Sequence, residues 1–276
     1  MSDVPPFTTR RLERIAEDAL GAAGALGVLP TPLEALHEVA GIRAVEPIPA
    51  LPDRVRTPGR KLLGALWFEE RTIFLEEGQS EARRRFTHAH ELIHALCPWH
   101  EAVIREDTGA ELFRSAAVDV IEAEANAGAG LLLFQGRHFA SRAAGERPSI
   151  SAPLALAREY GASGHAALHH YVATHAAALA MLVVGRFPRR DGSLPVWCSV
   201  ESRRYRRRFD RAAAAMPRGL LPGSPLRELV EAARRTSEPP VARLPWTDAR
   251  GGVRRVRAHA HYNRHAFLVL LEPASR

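Results

Sequence analysis

Only two cysteines occur in the 276 residues, Cys97 and Cys198, and their wide separation argues against a disulfide framework and for a reducing compartment. No stretch reaches the ~18–20 uncharged apolar residues of a membrane-spanning helix, and the opening MSDVPPFTTRRLERIAEDAL carries Pro and charge where a secretory signal needs an apolar core. The expected location is the cytoplasm, with no membrane partner. Lysine is nearly absent as well: Lys61 is the only one among 38 basic residues, and the rest are arginine. With abundant Ala, that skew reads as the imprint of a GC-rich genome, although Arg also suits phosphate and carboxylate recognition. The net charge of +7 permits an acidic partner without naming one.

The remaining composition is that of an ordinary globular chain, with 46% hydrophobic and 25% charged residues, long enough for one or two domains with a core that needs no staple. Residues 8–27 carry apolar positions at helical spacing (Leu12, Ile15, Ala16, Ala19, Leu20) after Thr8 and Thr9, and Thr31-Pro32 opens a second helix to about Val39. Short apolar runs at Leu62–Phe68 and Arg71–Leu75, joined at Glu69-Glu70, predict a small antiparallel sheet.

Helical texture returns at Glu81–Leu96 and contains His90-Glu91-Leu92-Ile93-His94, an HExxH string. Residues four apart share a helix face, so His90 and His94 can offer two imidazole nitrogens to one tetrahedral ion. Glu91, about 100° further round, can reach a water there as general base. Phe86, Ala89, Ile93 and Leu96 supply a core-facing stripe that buries the segment.

A catalytic zinc takes a third protein ligand. His100 has the spacing of the extended HExxHxxGxxH motif, but Cys97-Pro98 stands where Gly must turn the chain sharply, which disfavours it. The alternative is a carboxylate on Val118–Phe134, whose Ala and Gly positions allow close packing on the motif helix. Glu122 and Glu124 lie about 200° apart on that helix, so only one faces the metal. Glu122 shares a face with Ala125, Asn126 and Ala129 and is the expected ligand, with Asn126 supporting the site from behind. Glu124 is expected on the outer face as an ordinary solvated carboxylate.

The string Arg85-Phe86-Thr87-His88-Ala89-His90-Glu91-Leu92-Ile93-His94, followed by Val120-Ile121-Glu122, Asn126 and Leu131-Leu132-Leu133, resembles the ImmA/IrrE family of metallopeptidases. Leu133-Phe134-Gln135 departs from the family's usual Leu-Met-Pro, and His88 from a common Leu. The resemblance implies an α+β chain with three parts: a zincin-like metallopeptidase domain over 1–150, a helix-turn-helix-like segment over 151–177 and a GAF-like domain over 178–276. It implies a Zn²⁺-dependent, gluzincin-like metalloendopeptidase, with Mn²⁺ as the alternative ion. The implied substrate is an XRE-family transcriptional repressor, cleaved to release stress-response genes after DNA damage. His88, His100 and Tyr160 are the candidates for oxyanion stabilisation.

Residues 154–172 resemble a helix-turn-helix with Gly161 at the turn, yet its second helix offers His165, Ala166, Ala167, Leu168, His169 and His170 in place of base-reading Arg, Lys, Asn or Gln. A packing role and no specific nucleic-acid binding are expected. Strands are predicted at Ala178–Gly185, Val196–Val200, Val253–Tyr262 and Ala266–Leu271, with a short helix at Leu226–Arg234. Arg203–Arg208 is a basic run on a solvated loop or helix. The rival to an enzyme is a non-proteolytic GAF-like sensor or DNA-binding regulator with a structural metal, and the intact Glu91 argues against it.

Overall fold

The computed structural model describes residues 6–50, 62–107, 116–145, 147–209, 216–247 and 252–274. The chain divides into two compact units, residues 1–139 with 159–163, and residues 140–158 with 164–276. Both mix helices and sheet, an α+β composition. None of the helices in the described residues is long and apolar enough to cross a membrane.

In the first unit, α1 (Pro6–Ala22) buries Leu12, Ala16, Ala19 and Leu20. It ends five residues earlier than its periodicity predicts, because Gly24 takes a left-handed φ of 63°. Gly24 N–H donates to the Gly21 carbonyl and Ala25 N–H to that of Leu20, the paired bonds that close a helix C-terminus. The predicted second helix is a 3₁₀ turn at Leu33–Ala35 running into α2 (Leu36–Ala40).

The strand pair at 62–75 forms as β2 (Gly64–Trp67) and β3 (Thr72–Leu75), antiparallel as expected. A strand with no clear signal in the sequence, β1 (Ala44–Pro47), adds parallel to β3, so β3 is central, fully buried, and β2 is an edge. The motif helix is α3 (Glu81–Leu96). Cys97 ends it in extended conformation and Pro98 opens α4 (Pro98–Asp107), a Pro at a first helical position, where its missing N–H costs nothing. The long α5 (Ala116–Phe134) packs against α1, α3 and α4. At its crossing with α3, Gly128 lies against Ile93, and a Cβ there would stand 2.7–2.9 Å from three Ile93 side-chain atoms. The helix α6 (Arg137–Ala144) spans the division between the units.

The second unit holds α7 (Ser151–Glu159) and α8 (Gly164–Thr174), whose intervening Gly161 has φ 60°. Six strands follow: β4 (Ala180–Gly185), β5 (Leu194–Glu201), β6 (Gly219–Leu220), β7 (Val241–Thr247), β8 (Val253–Tyr262) and β9 (Ala266–Pro273). They form one antiparallel sheet in the order β6-β5-β4-β9-β8-β7. Every residue of β4 is buried, as a strand covered on both faces must be. Ala180, Leu182 and Val184 join a core with Tyr205 and Phe209, from α9 (Arg203–Arg208) and its C-terminal end, and with Leu226, Leu229 and Val230 of α10 (Pro225–Ala233). The helix α8 packs on β4, β5 and β9 through a side that buries Ala167, Leu168, Tyr171 and Val172.

Candidate metal centre

The i,i+4 spacing on α3 brings His90 and His94 together with ring centroids 4.8 Å apart and their Nε2 atoms 3.1 Å apart. From α5, Glu122 places one carboxylate oxygen 3.6 Å from His90 Nε2 and the other 3.8 Å from His94 Nε2. One ligand atom from each of the three residues falls within 4.8 Å of the others. Burial lowers both imidazoles below the ordinary histidine range, His94 furthest, while Glu122 and a hydrogen bond with Asn126 partly offset the effect at His90. Two imidazole nitrogens and a carboxylate converge here, and a divalent cation between them satisfies all three. The donor set, two histidines and one carboxylate, fits a divalent metal of the kind that takes three protein ligands.

Glu91 lies among these groups but is not one of the three ligands. Its side chain is buried, and desolvation, followed by the charge of Glu122, pushes its pKa up to about 8. A divalent cation in the cluster opposes that shift and favours the ionised base. Over it runs the edge strand β2, and only glycine at position 64 permits the approach: a Cβ there would meet Thr87 Cγ2 at 2.3 Å and Glu91 Oε1 at 2.9 Å.

His100, disfavoured as third ligand by Cys97-Pro98, stays out of the ligand cluster, with its ring fully buried behind His94. The expectation for Glu124 is corrected. It is buried, and its Oε2 accepts from Trp99 Nε1 at 2.8 Å and from His100 Nε2 at 3.0 Å. The 200° separation from Glu122 is real, but the far side of α5 faces α4 and not solvent. A signal was present in the sequence: Asp119, Glu122 and Asn126 share one face of α5, whereas Glu124 sits among Ala and Gly, where a carboxylate needs buried partners. The other two oxyanion candidates have partners of their own. His88 Nε2 lies 2.9 Å from His37 Nε2, and the Tyr160 hydroxyl lies 2.8 Å from His138 Nδ1, packed on Phe134 and Phe139. The Cys97 thiol is pushed up to about 12, mainly by burial, so it is an inert core group.

No curated protein matches the chain. Among solved structures, a Mycobacterium tuberculosis transcriptional regulator shares the fold with a TM-score of 0.58 at 17% sequence identity, over 95% of this chain and 75% of that one. The matched family, Peptidase_M78, spans every residue of the His/His/Glu cluster together with Glu91, Asn126, His100 and Glu124. Over residues 53–171, less than half of its length, the chain matches the Peptidase_M78 family, described as the IrrE N-terminal-like domain.

Proposed function

We propose that the chain is a metal-dependent, site-specific endopeptidase, loaded with Zn²⁺ or Mn²⁺ in the cytoplasm, that cleaves an XRE-family transcriptional repressor and so derepresses stress and DNA-damage response genes. The observation that carries the reading is the convergence of His90, His94 and Glu122 beside a buried Glu91 within a Peptidase_M78 domain. A purely structural ion has no use for that additional carboxylate.

A divalent metal held by these three residues supplies Lewis-acid polarisation of a scissile carbonyl and makes a water acidic enough to attack near pH 7. The protein contributes the proton traffic. Glu91 accepts the proton of the attacking water and returns it to the departing amide nitrogen, which leaves as a neutral amine. Asn126 holds the His90 ring through its hydrogen bond. The strand β2, which stands at the edge of its sheet among the described residues and passes over Glu91 at Gly64, lies where an extended substrate segment can add as a strand. Beyond the peptidase domain, proposed to span residues 1–150, the segment 151–177 acts in packing. Residues 178–276 are a GAF-like sensor whose support is the six-stranded antiparallel sheet.

The test is Glu91→Gln, nearly isosteric but unable to accept a proton at neutral pH. Wild type and variant are incubated with the XRE-family repressor of the same genome and Zn²⁺ or Mn²⁺, and fragments are read by mass spectrometry. Cleavage should fall by at least ~10²–10⁴, the range of general-base catalysis, with fold and metal content retained. Equal cleavage by both proteins rules out Glu91 as the general base, and an intact repressor with both transfers the chain to the non-proteolytic sensor reading.

A further inference from the structure

His94 turns its Nε2 toward His90 and Glu122, and its other ring nitrogen is also occupied. Nδ1 lies 3.0 Å from Nδ1 of His100, and Nε2 of His100 lies 3.0 Å from Oε2 of Glu124. All three side chains are buried, with His94 4%, His100 0% and Glu124 5% exposed, so bulk water does not compete for these bonds. The same Glu124 oxygen receives the indole N–H of Trp99, a group that only donates.

We propose, resting on the metal-centre reading above, that His100 and Glu124 are positioning residues: a one-way hydrogen-bond relay, Glu124 to His100 to His94, that fixes the His94 tautomer and turns its Nε2 lone pair toward the metal. The direction follows from donor and acceptor inventory. A carboxylate accepts, so the N–H of His100 is on Nε2. In the neutral ring Nδ1 is then a bare acceptor, which obliges His94 to donate from its own Nδ1. Its remaining nitrogen, Nε2, is left unprotonated on the side where Glu122 and His90 stand. Metal-binding histidines commonly hand their second N–H directly to a carboxylate or backbone carbonyl. Here a second histidine is interposed, and α4 exists in the right place to supply it: Pro98 restarts the helix immediately after Cys97, and His100, in its first turn, returns alongside His94. The relay acts on His94 alone among the three ligands.

Two measurements on the full chain test this. The first is the zinc dissociation constant by competition with a chromophoric chelator, alongside the melting temperature of each metal-free protein. Glu122→Ala removes a ligand and sets the reference for a lost site. His100→Phe and Glu124→Leu should weaken zinc binding about 10–100-fold, the usual cost of losing support behind a ligand. Glu124→Gln, whose amide oxygen still accepts from Trp99 and His100, should stay within a few-fold of wild type. Wild-type affinity in folded His100→Phe and Glu124→Leu overturns the relay. The second measurement needs no substitution: imidazole ¹⁵N–¹H correlations of the zinc-loaded wild type should show His94 as the Nδ1–H and His100 as the Nε2–H tautomer. A His100 proton on Nδ1 with zinc bound sinks the relay alone. A wild type that takes up no zinc sinks the metal centre and the relay with it.

Discussion

At the scale of single residues, burial decides which titratable groups do what. His88, on the helix of the metal ligands but not one of them, illustrates this. Its ring is buried against His37, and desolvation, followed by the positive charge that His37 can acquire, lowers its pKa to about 4. In the unfolded chain it returns to the ordinary value of about 6.5. Between those two values the unfolded state binds a proton that the native state refuses, so the contribution of this site to stability is full above about pH 6.5 and is lost as the pH falls toward about 4. The loss is at most about 3–4 kcal/mol, since each tenfold change in proton affinity is worth about 1.4 kcal/mol. Chemical denaturation of the metal-free protein at a series of pH values should therefore give a shallower decline below pH 6.5 in His88→Leu than in wild type. Identical slopes would mean that His88 titrates normally in the native protein. The neutral pair also accounts for the departure from the family's common Leu: two neutral imidazoles, one donating its N–H to the bare nitrogen of the other, can occupy a largely apolar position.

At the scale of elements, the site depends on how closely α3 and α5 approach, and that distance is set by Gly128. Alanine would favour the helix by up to about 1 kcal/mol in isolation. Here its methyl would meet Ile93 Cγ1 and Cγ2, which are too near the backbone to swing aside, in addition to Cδ1. Overpacking of this kind costs about 1–3 kcal/mol, so Gly128→Ala is expected to lower the melting temperature and to weaken zinc binding by pushing Glu122 away from the two histidines. A variant with unchanged melting temperature and metal affinity would show that the two helices tolerate a wider separation. Element boundaries reveal why parts of the site were legible. The HExxH helix and the Glu122 helix carry their chemistry at spacings of three and four, which a sequence displays directly. The pairing of His100 with Glu124 joins α4 to α5 across 24 positions of chain, and no periodicity encodes it. Cys97-Pro98 does prevent a tight return, since Cys97 is extended; what no local pattern announced is that Pro98 starts a new helix there.

At the scale of the whole molecule, charge and fold lead to different expectations about nucleic acid. The net charge is +7, and α9 consists of Arg203, Arg204, Tyr205, Arg206, Arg207 and Arg208, with every arginine exposed. Such a surface attracts phosphate without reading sequence. The helix-turn-helix-like pair lacks base-reading side chains on α8, and that helix covers the sheet through β4, β5 and β9. Binding to random duplex DNA should be weak, indifferent to sequence and abolished at moderate salt. Gel-shift titration showing nanomolar, sequence-specific binding near about 150 mM salt would contradict this and favour a DNA-binding regulator.

What the sequence determined by itself is the local chemistry: two histidines on one helix face with a carboxylate between them, a second helix with Glu122 and Asn126 on one side, and strands where apolar residues alternate. These follow from backbone periods of 3.6 and 2, which operate within a few residues and need no partner. Only tertiary structure decided that β1 joins β3 in parallel, that Gly64 lets β2 pass over Glu91, and that Glu124 is buried behind the centre and not solvated. Each of those depends on which element covers which face. That choice is made by packing between segments far apart in the chain, where the energy of burial has no counterpart in local pattern.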